Sequence, residues 1–157
     1  MLRRPRSRAP DEDQLRPTAL RLLAQREHSQ QELRAKLSQR GFARAAIDQT
    51  IEALCEAGWQ SDARYAASYL RARLARGYGL LAITAELRAR GVQPNDIHTA
   101  LTEESPDWHS CAAEQLRRHF GQPLTAELRK KAYRHLIQRG FRHEEAIAAL
   151  DSLTEDD

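Results

Sequence analysis

Arg40-Gly41-Phe42, Arg90-Gly91-Val92 and Arg139-Gly140-Phe141 are three copies of one pattern: an arginine, a glycine and an apolar residue. Each copy follows an amphipathic run with a leucine four positions before the glycine. Glycine adopts the left-handed backbone conformation at a helix end at little cost. The apolar residue after it can then fold back onto the last helical turn. The pattern therefore predicts three helix ends.

The spacing of these helix ends predicts a repeat. The glycines lie 50 and 49 residues apart, and Ile51, Leu101 and Leu150 each follow a glycine by ten residues. Apolar residues at steps of three and four predict two more helices for each copy. We therefore predict an all-α fold of three tandem three-helix repeats of about 50 residues. Repeats of this size pack against their neighbours, so we expect an elongated, curved molecule.

Turn and capping residues place the boundaries of these repeats. Ser29 and Ser61 are predicted helix N-caps, and Ser105-Pro106 and Pro123 are predicted to open two helices of the third repeat. The predicted order is a disordered basic tail at 1–16, repeats at 17–58, 59–104 and 105–153, and an acidic tail at 154–157.

The composition indicates a soluble, helix-rich protein. The chain has 157 residues, 41% hydrophobic and 30% charged, and a net charge of +3. It has only two cysteines, which fits a reducing cytoplasm better than a disulfide scaffold. Apolar runs stay well short of the roughly 18 residues of a membrane span. We therefore expect a cytoplasmic monomer that does not enter the membrane.

The strongest local charge imbalance lies in the middle repeat. Residues 62–90 contain six arginines and two acids. On a helical wheel, Ala66 and Leu70 face the core and an adjoining stripe combines tyrosines with arginines. Such a surface suits phosphates, stacked bases or acidic proteins, although tyrosines edging the core and solvated arginines would give the same pattern. The predicted partner-binding residues are Arg64, Tyr65, Tyr69, Arg71, Arg73, Arg76, Arg88 and Arg90.

Metal and catalytic motifs are not recognisable in the sequence. His109, Cys111 and His119 have spacings that match no zinc site. Gly77-Tyr78-Gly79 lacks the further glycine and lysine of a phosphate-binding loop, and no nucleophile elbow is found. We therefore predict a binding protein without a cofactor or metal, and not an enzyme.

The middle repeat contains a recognisable set of motifs: Ser61-Asp62-Ala63-Arg64-Tyr65-Ala66, the Gly77-Tyr78-Gly79 turn and Arg90-Gly91-Val92. Together they resemble the signature of the RecX family. Arg26-Glu27-His28-Ser29 in the first repeat and Arg139-Gly140-Phe141 in the third are similar as well. The resemblance extends over residues 18 to 152. In two places the chain departs from the family pattern: Leu80 replaces a frequent proline, and His28 replaces a basic residue, so its charge depends on pH.

The resemblance implies a modulator, usually an inhibitor, of the bacterial recombinase RecA. Such a protein would bind the RecA–DNA filament along its groove and reduce strand exchange, ATP turnover and the co-protease activity behind the SOS response. The alternative is a direct binder of single- or double-stranded DNA that acts through the Arg/Tyr face of the middle repeat. A scaffold without a nucleic-acid role is a third possibility.

Overall fold

The computed structural model describes residues 10–121 and 123–154, and every regular element in these ranges is helical. A 3-10 turn at Glu12–Gln14 precedes the α-helices. These are α1 (Leu15–Gln25), α2 (Gln30–Gln39), α3 (Arg44–Glu56), α4 (Asp62–Ala75), α5 (Leu80–Ala89), α6 (Pro94–Glu104), α7 (Trp108–Phe120), α8 (Ala126–Gln138) and α9 (His143–Leu153). The prediction of an all-α fold is confirmed.

The chain divides into two compact units, Met1–Tyr65 and Ala66–Asp157, and the division falls inside α4. This division groups residues by contact, so the predicted repeat boundaries stay a prediction. The predicted tail at 1–16 is too long, because Asp11 caps the 3-10 turn and α1 begins at Leu15. Residues 1–9 and 155–157, which hold most of the two predicted tails, lie outside the described residues.

All three predicted helix ends form in the same geometry. In the first, the amide of Gly41 donates to the carbonyl of Ser38 at 3.0 Å, and that of Phe42 donates to Leu37 at 3.4 Å. The same two bonds recur at Gly91 and Gly140, and the three glycines have φ of 92°, 82° and 88°. The leucines four residues upstream are almost completely buried. These are Schellman motifs, as the sequence predicts.

Two helix starts differ from their predictions. Ser105 has a left-handed conformation, φ 42°, and closes α6, whereas Asp107 caps α7 by accepting a hydrogen bond from the amide of Ser110. The helix predicted to open at Pro123 begins at Ala126, where the side chain of Thr125 provides the cap. The predicted cap at Ser29 is confirmed, since its hydroxyl accepts from the amide of Glu32 at 3.0 Å.

The first unit contains a buried histidine beside this cap. The side chain of His28 is 0% exposed, with Nδ1 3.0 Å from the carbonyl oxygen of Arg26 and Nε2 2.9 Å from Nζ of Lys36. A neutral ring satisfies both contacts, because Nδ1–H donates to the carbonyl and Nε2 accepts from the ammonium group. Burial lowers the pKa of His28. A charge at this position therefore requires a pH below its ordinary pKa of 6.5.

In the second unit, the α4–α5 turn pairs with the third of the helix ends. The amide of Gly79 donates to the carbonyl of Arg139 at 2.8 Å, and that of Leu81 donates to Gly140 at 2.9 Å. A Cβ atom on Gly79 would lie 2.6 Å from backbone atoms of Gly140 and Phe141. Glycine is thus required here for a close backbone approach.

Candidate partner-binding surface

Helix α4 buries a wider arc than the helical wheel predicts. Ala66 and Leu70 are 0% and 1% exposed, as expected for core residues, but Tyr65 is also buried, at 4% exposure. Ala67 is buried beside them. The ring of Tyr65 is therefore a packing group, and the prediction that it belongs to an exposed partner-binding stripe is not supported by its position.

The carboxylate of Glu86 on α5 binds two members of the predicted stripe. Arg73 donates from Nε to Oε2 at 2.9 Å and from Nη2 to Oε1 at 2.6 Å, the two-pronged geometry that fits a guanidinium to a carboxylate. The hydroxyl of Tyr69 donates to Oε2 at 2.7 Å. Partial burial raises the pKa of Glu86, but these hydrogen bonds outweigh burial and the net effect lowers it. The carboxylate is thus held ionised.

Arginine–tyrosine stacking takes place within the molecule. The guanidinium carbon of Arg73 lies 3.8 Å from the ring centroid of Tyr78, and that of Arg139 lies 4.7 Å from it. Arg90 lies over the ring of Tyr69 at 4.8 Å. These distances are typical of cation–π contacts. The aromatic rings of this segment therefore stabilise the protein's own cations.

Two more of the predicted arginines have acidic partners. Arg64 binds Glu27 at 3.0 Å, and Arg71 binds Glu104 at 2.5 Å. Both guanidinium groups are about half exposed, so these contacts are surface ion pairs of small net stability.

The remaining candidates are Arg76, Arg88 and Arg90, all of which are exposed. Within residues 10–121 and 123–154, Arg76 and Arg88 form no ion pair, whereas Arg90 contacts Tyr69. The eight predicted residues thus fall into three groups. Tyr65 is buried, and the side chains with acidic partners inside the protein are Arg64, Tyr69, Arg71 and Arg73. The exposed arginines are Arg76, Arg88 and Arg90, the last of which contacts Tyr69.

Helix α8 is a second cationic helix, which was not predicted. Helix α8 carries four cations and one acid, Glu127. Lys130, Lys131 and Arg134 are exposed, and in the described part of the chain they form no ion pair. The signal was available in the sequence as a local excess of positive charge, the same signal that singled out the middle repeat.

Neither a metal site nor a membrane span is recognisable among residues 10–121 and 123–154. No group of three or more His, Cys, Asp or Glu side chains in these ranges is arranged to hold a metal ion. None of the helices there has the length and apolar character needed to cross a membrane.

Two family models match the chain. The model described as "RecX, first three-helix domain" matches residues 18–54, and "RecX, second three-helix domain" matches residues 61–101. The regulatory protein RecX of Chromohalobacter salexigens is 43% identical over 136 residues, which cover 86% of this chain and 90% of that protein. The chain belongs to the RecX family. The regulatory protein RecX of Mannheimia succiniciproducens is 35% identical over 143 residues, 88% of this chain and 94% of its own.

Solved RecX structures share the fold. The crystal structure of RecX from Lactobacillus salivarius matches with a TM-score of 0.74 at 21% identity, over 90% of this chain and 96% of that one. A second crystal structure, of a regulatory protein RecX, matches with a TM-score of 0.73 at 24% identity, over 89% and 73% of the two chains. At these identities the likeness concerns the fold alone.

Proposed function

We propose that this RecX-family protein regulates the recombinase RecA by binding the RecA–DNA filament along its groove. Binding there reduces strand exchange, ATP turnover and co-protease activity, and so limits recombination and the SOS response. The proposal is carried by similarity along most of the chain to proteins named regulatory protein RecX. We further propose that the protein acts in the cytoplasm as a monomer and works by binding alone, without chemistry.

The middle repeat supplies the proposed contacts. Arg76, Arg88 and Arg90 are exposed cations that can meet acidic side chains or DNA phosphates in the groove. Arg64 and Arg71 join them when a partner displaces Glu27 or Glu104. Arg73 and Tyr69 stabilise this surface through their hydrogen bonds to Glu86. Several weak contacts on one molecule gain strength because each raises the effective concentration of the next.

A RecA ATPase assay tests the proposal. RecA filaments on single-stranded DNA are titrated with the protein, and the rate of ATP hydrolysis is expected to fall as the protein is added. Binding to preformed filaments is followed in parallel by sedimentation. An unchanged rate at a few-fold molar excess, with no protein in the filament pellet, would contradict the proposal.

Direct DNA binding is the second candidate function, favoured by Arg76 and Arg88, which are exposed and form no ion pair with any described residue. A protein that acts on DNA alone binds it strongly without RecA, and its affinity falls steeply as salt rises because counterions are released. Fluorescence anisotropy with labelled single- and double-stranded DNA at several salt concentrations distinguishes the two functions. Tight, steeply salt-dependent binding without RecA favours direct DNA binding over filament binding.

A further inference from the structure

Helices α8 and α9 enclose a shallow groove of about 660 Å³ that the proposed function does not use. Its lining combines cations on one rim with apolar side chains beneath. The members that carry the argument are Arg129, Lys130, Tyr133, Arg134, Ile147 and Leu150.

The rim of the groove is positively charged. Arg129 binds Asp151 at 2.7 Å, so one cation is neutralised within the protein. Lys130 and Arg134 lie four residues apart on α8 and are therefore neighbours on one face. Both are exposed, and neither forms an ion pair with any residue that the structure describes. Two cations at the edge of a groove without an acid to balance them favour an anionic ligand.

The floor of the groove is aliphatic. Leu150 is 1% exposed and belongs to the core of the last three helices, while Ile147 is half-buried against that core. The aromatic side chain of the lining, Tyr133, has its hydroxyl 2.8 Å from Nδ1 of His143, and the two rings meet edge to face. Bases of nucleic acids bind by stacking on open aromatic faces. An aliphatic floor instead suits an apolar side chain of a protein.

We propose that this groove binds an acidic amphipathic segment of a partner protein. An aliphatic or aromatic side chain of the segment lies on the half-buried Ile147, and its carboxylates pair with Lys130 and Arg134. This is the helix-in-groove mode, in which apolar residues three or four positions apart anchor one face of a helix. The inference goes beyond the proposed function and does not depend on it, because it concerns other residues on other helices.

Fluorescence anisotropy with three labelled probes tests the proposal on the full chain. The first is a helical peptide with leucines at alternating three- and four-residue steps and glutamates between them. The second has the same charge with alanines in place of the leucines, and the third is a single-stranded oligonucleotide. The leucine peptide is expected to bind roughly tenfold more tightly than the alanine peptide, since burial of apolar side chains adds to charge pairing.

Charge reversal on α8 supplies the matched comparison. Lys130→Glu is expected to weaken binding of the leucine peptide roughly tenfold, whereas Lys131→Glu, the same change on the neighbouring exposed lysine outside the lining, leaves it within about twofold. Equal losses in the two variants would mean general electrostatic attraction and overturn the proposal. A Lys130-dependent affinity for the oligonucleotide above that for the peptide, or a Lys130-dependent dimer in sedimentation, would overturn it as well.

Discussion

The carboxylate of Glu86 determines how much of the arginine-rich segment is available to a partner. It holds Arg73 with two hydrogen bonds and Tyr69 with a third. Both side chains were expected to contact a partner, and both are in use inside the protein. Among the described residues, the arginines of this segment that are exposed and form no ion pair are Arg76 and Arg88, at the ends of α4 and α5. The arrangement of this surface thus depends on an acid as well as on the arginines.

Replacing this acid tests its role in the fold. Glu86→Gln keeps the size of the side chain but removes the charge that Arg73 and Tyr69 share. We expect a loss of about 1 kcal/mol in the free energy of unfolding at pH 7, since the pair is partly exposed and hydrogen bonds of this kind contribute modestly. Urea unfolding followed by circular dichroism measures it. Glu103→Gln, on an exposed glutamate without an ion pair in the described ranges, should change little.

The same variant has a defined pH dependence. Because the pKa of Glu86 is lowered in the folded protein, its charge adds stability that is complete above the ordinary value of 4.5 and is lost as the pH falls through the folded pKa. The difference in stability between wild type and Glu86→Gln should therefore shrink on acidification below pH 4.5. A difference that stays constant down to pH 3 would mean that the carboxylate charge is not its cause.

At the scale of single elements, helix ends were easier to predict than helix starts. A Schellman motif needs only a glycine and an apolar residue at fixed positions, so the three Arg-Gly-apolar stretches contain its whole signal. A helix start can use any of several neighbouring polar residues. Asp107 rather than Ser105 caps α7, because Ser105 already forms the C-cap of α6. Which residue caps a helix therefore depends on where the preceding helix ends, and the capping residues alone do not determine this.

Gly140 ends a helix and also packs against α5. Replacing it with alanine should therefore destabilise the protein in two ways, by backbone strain and by a steric clash. Its φ of +88° strains any residue with a Cβ atom, and an added Cβ would lie 2.4 Å from atoms of Ala82 on α5. Backbone strain costs about 1–2 kcal/mol, and the clash adds about 1–3 kcal/mol. Gly140→Ala should therefore lower the free energy of unfolding by about 2–5 kcal/mol, measured by urea titration.

Gly58→Ala is the matched control for this change. Gly58 ends α3 in the same geometry, with φ of +81°, but has no atom within 4 Å of an added Cβ. It should cost only the strain, about 1–2 kcal/mol. Equal losses in Gly58→Ala and Gly140→Ala would mean that the α5 contact adds nothing.

For the molecule as a whole, the sequence predicted the elements better than their side-chain partners. The all-α class followed from helical periodicity and the helix ends, both local properties. The ion pairs join residues that are distant in the chain: Arg73 and Glu86 are 13 residues apart, and Arg64 and Glu27 are 37 apart. A helical wheel shows only which residues of one helix share a face. It could not show that these arginines pair with acids elsewhere in the chain, so they were predicted to be free for a partner. The groove on α8 and α9 forms only where two helices pack together, so it was not predicted from the sequence either.

Regulation of RecA should depend on Arg76 and Arg88, two exposed cations of the middle repeat that form no ion pair within residues 10–121 and 123–154. Arg76→Glu combined with Arg88→Glu replaces two exposed positive charges by negative ones and leaves the Glu86 contacts in place. If these arginines face acidic groups or phosphates in the filament, reversal turns attraction into repulsion and should weaken inhibition of the RecA ATPase roughly tenfold or more. The concentration that halves the ATPase rate measures the effect.

The matched control reverses Arg16 and Arg21 on α1. Both are exposed and, in the ranges described, unpaired, so the net charge changes by the same amount on a helix of the first unit. Inhibition by this double variant should stay within about twofold of wild type, because charges outside the proposed contacts act only through a field that salt screens. If both double variants lose inhibition equally, net charge and not the middle repeat governs binding. If neither loses it, the filament contacts another surface, and the basic groove on α8 and α9 becomes the first one to test.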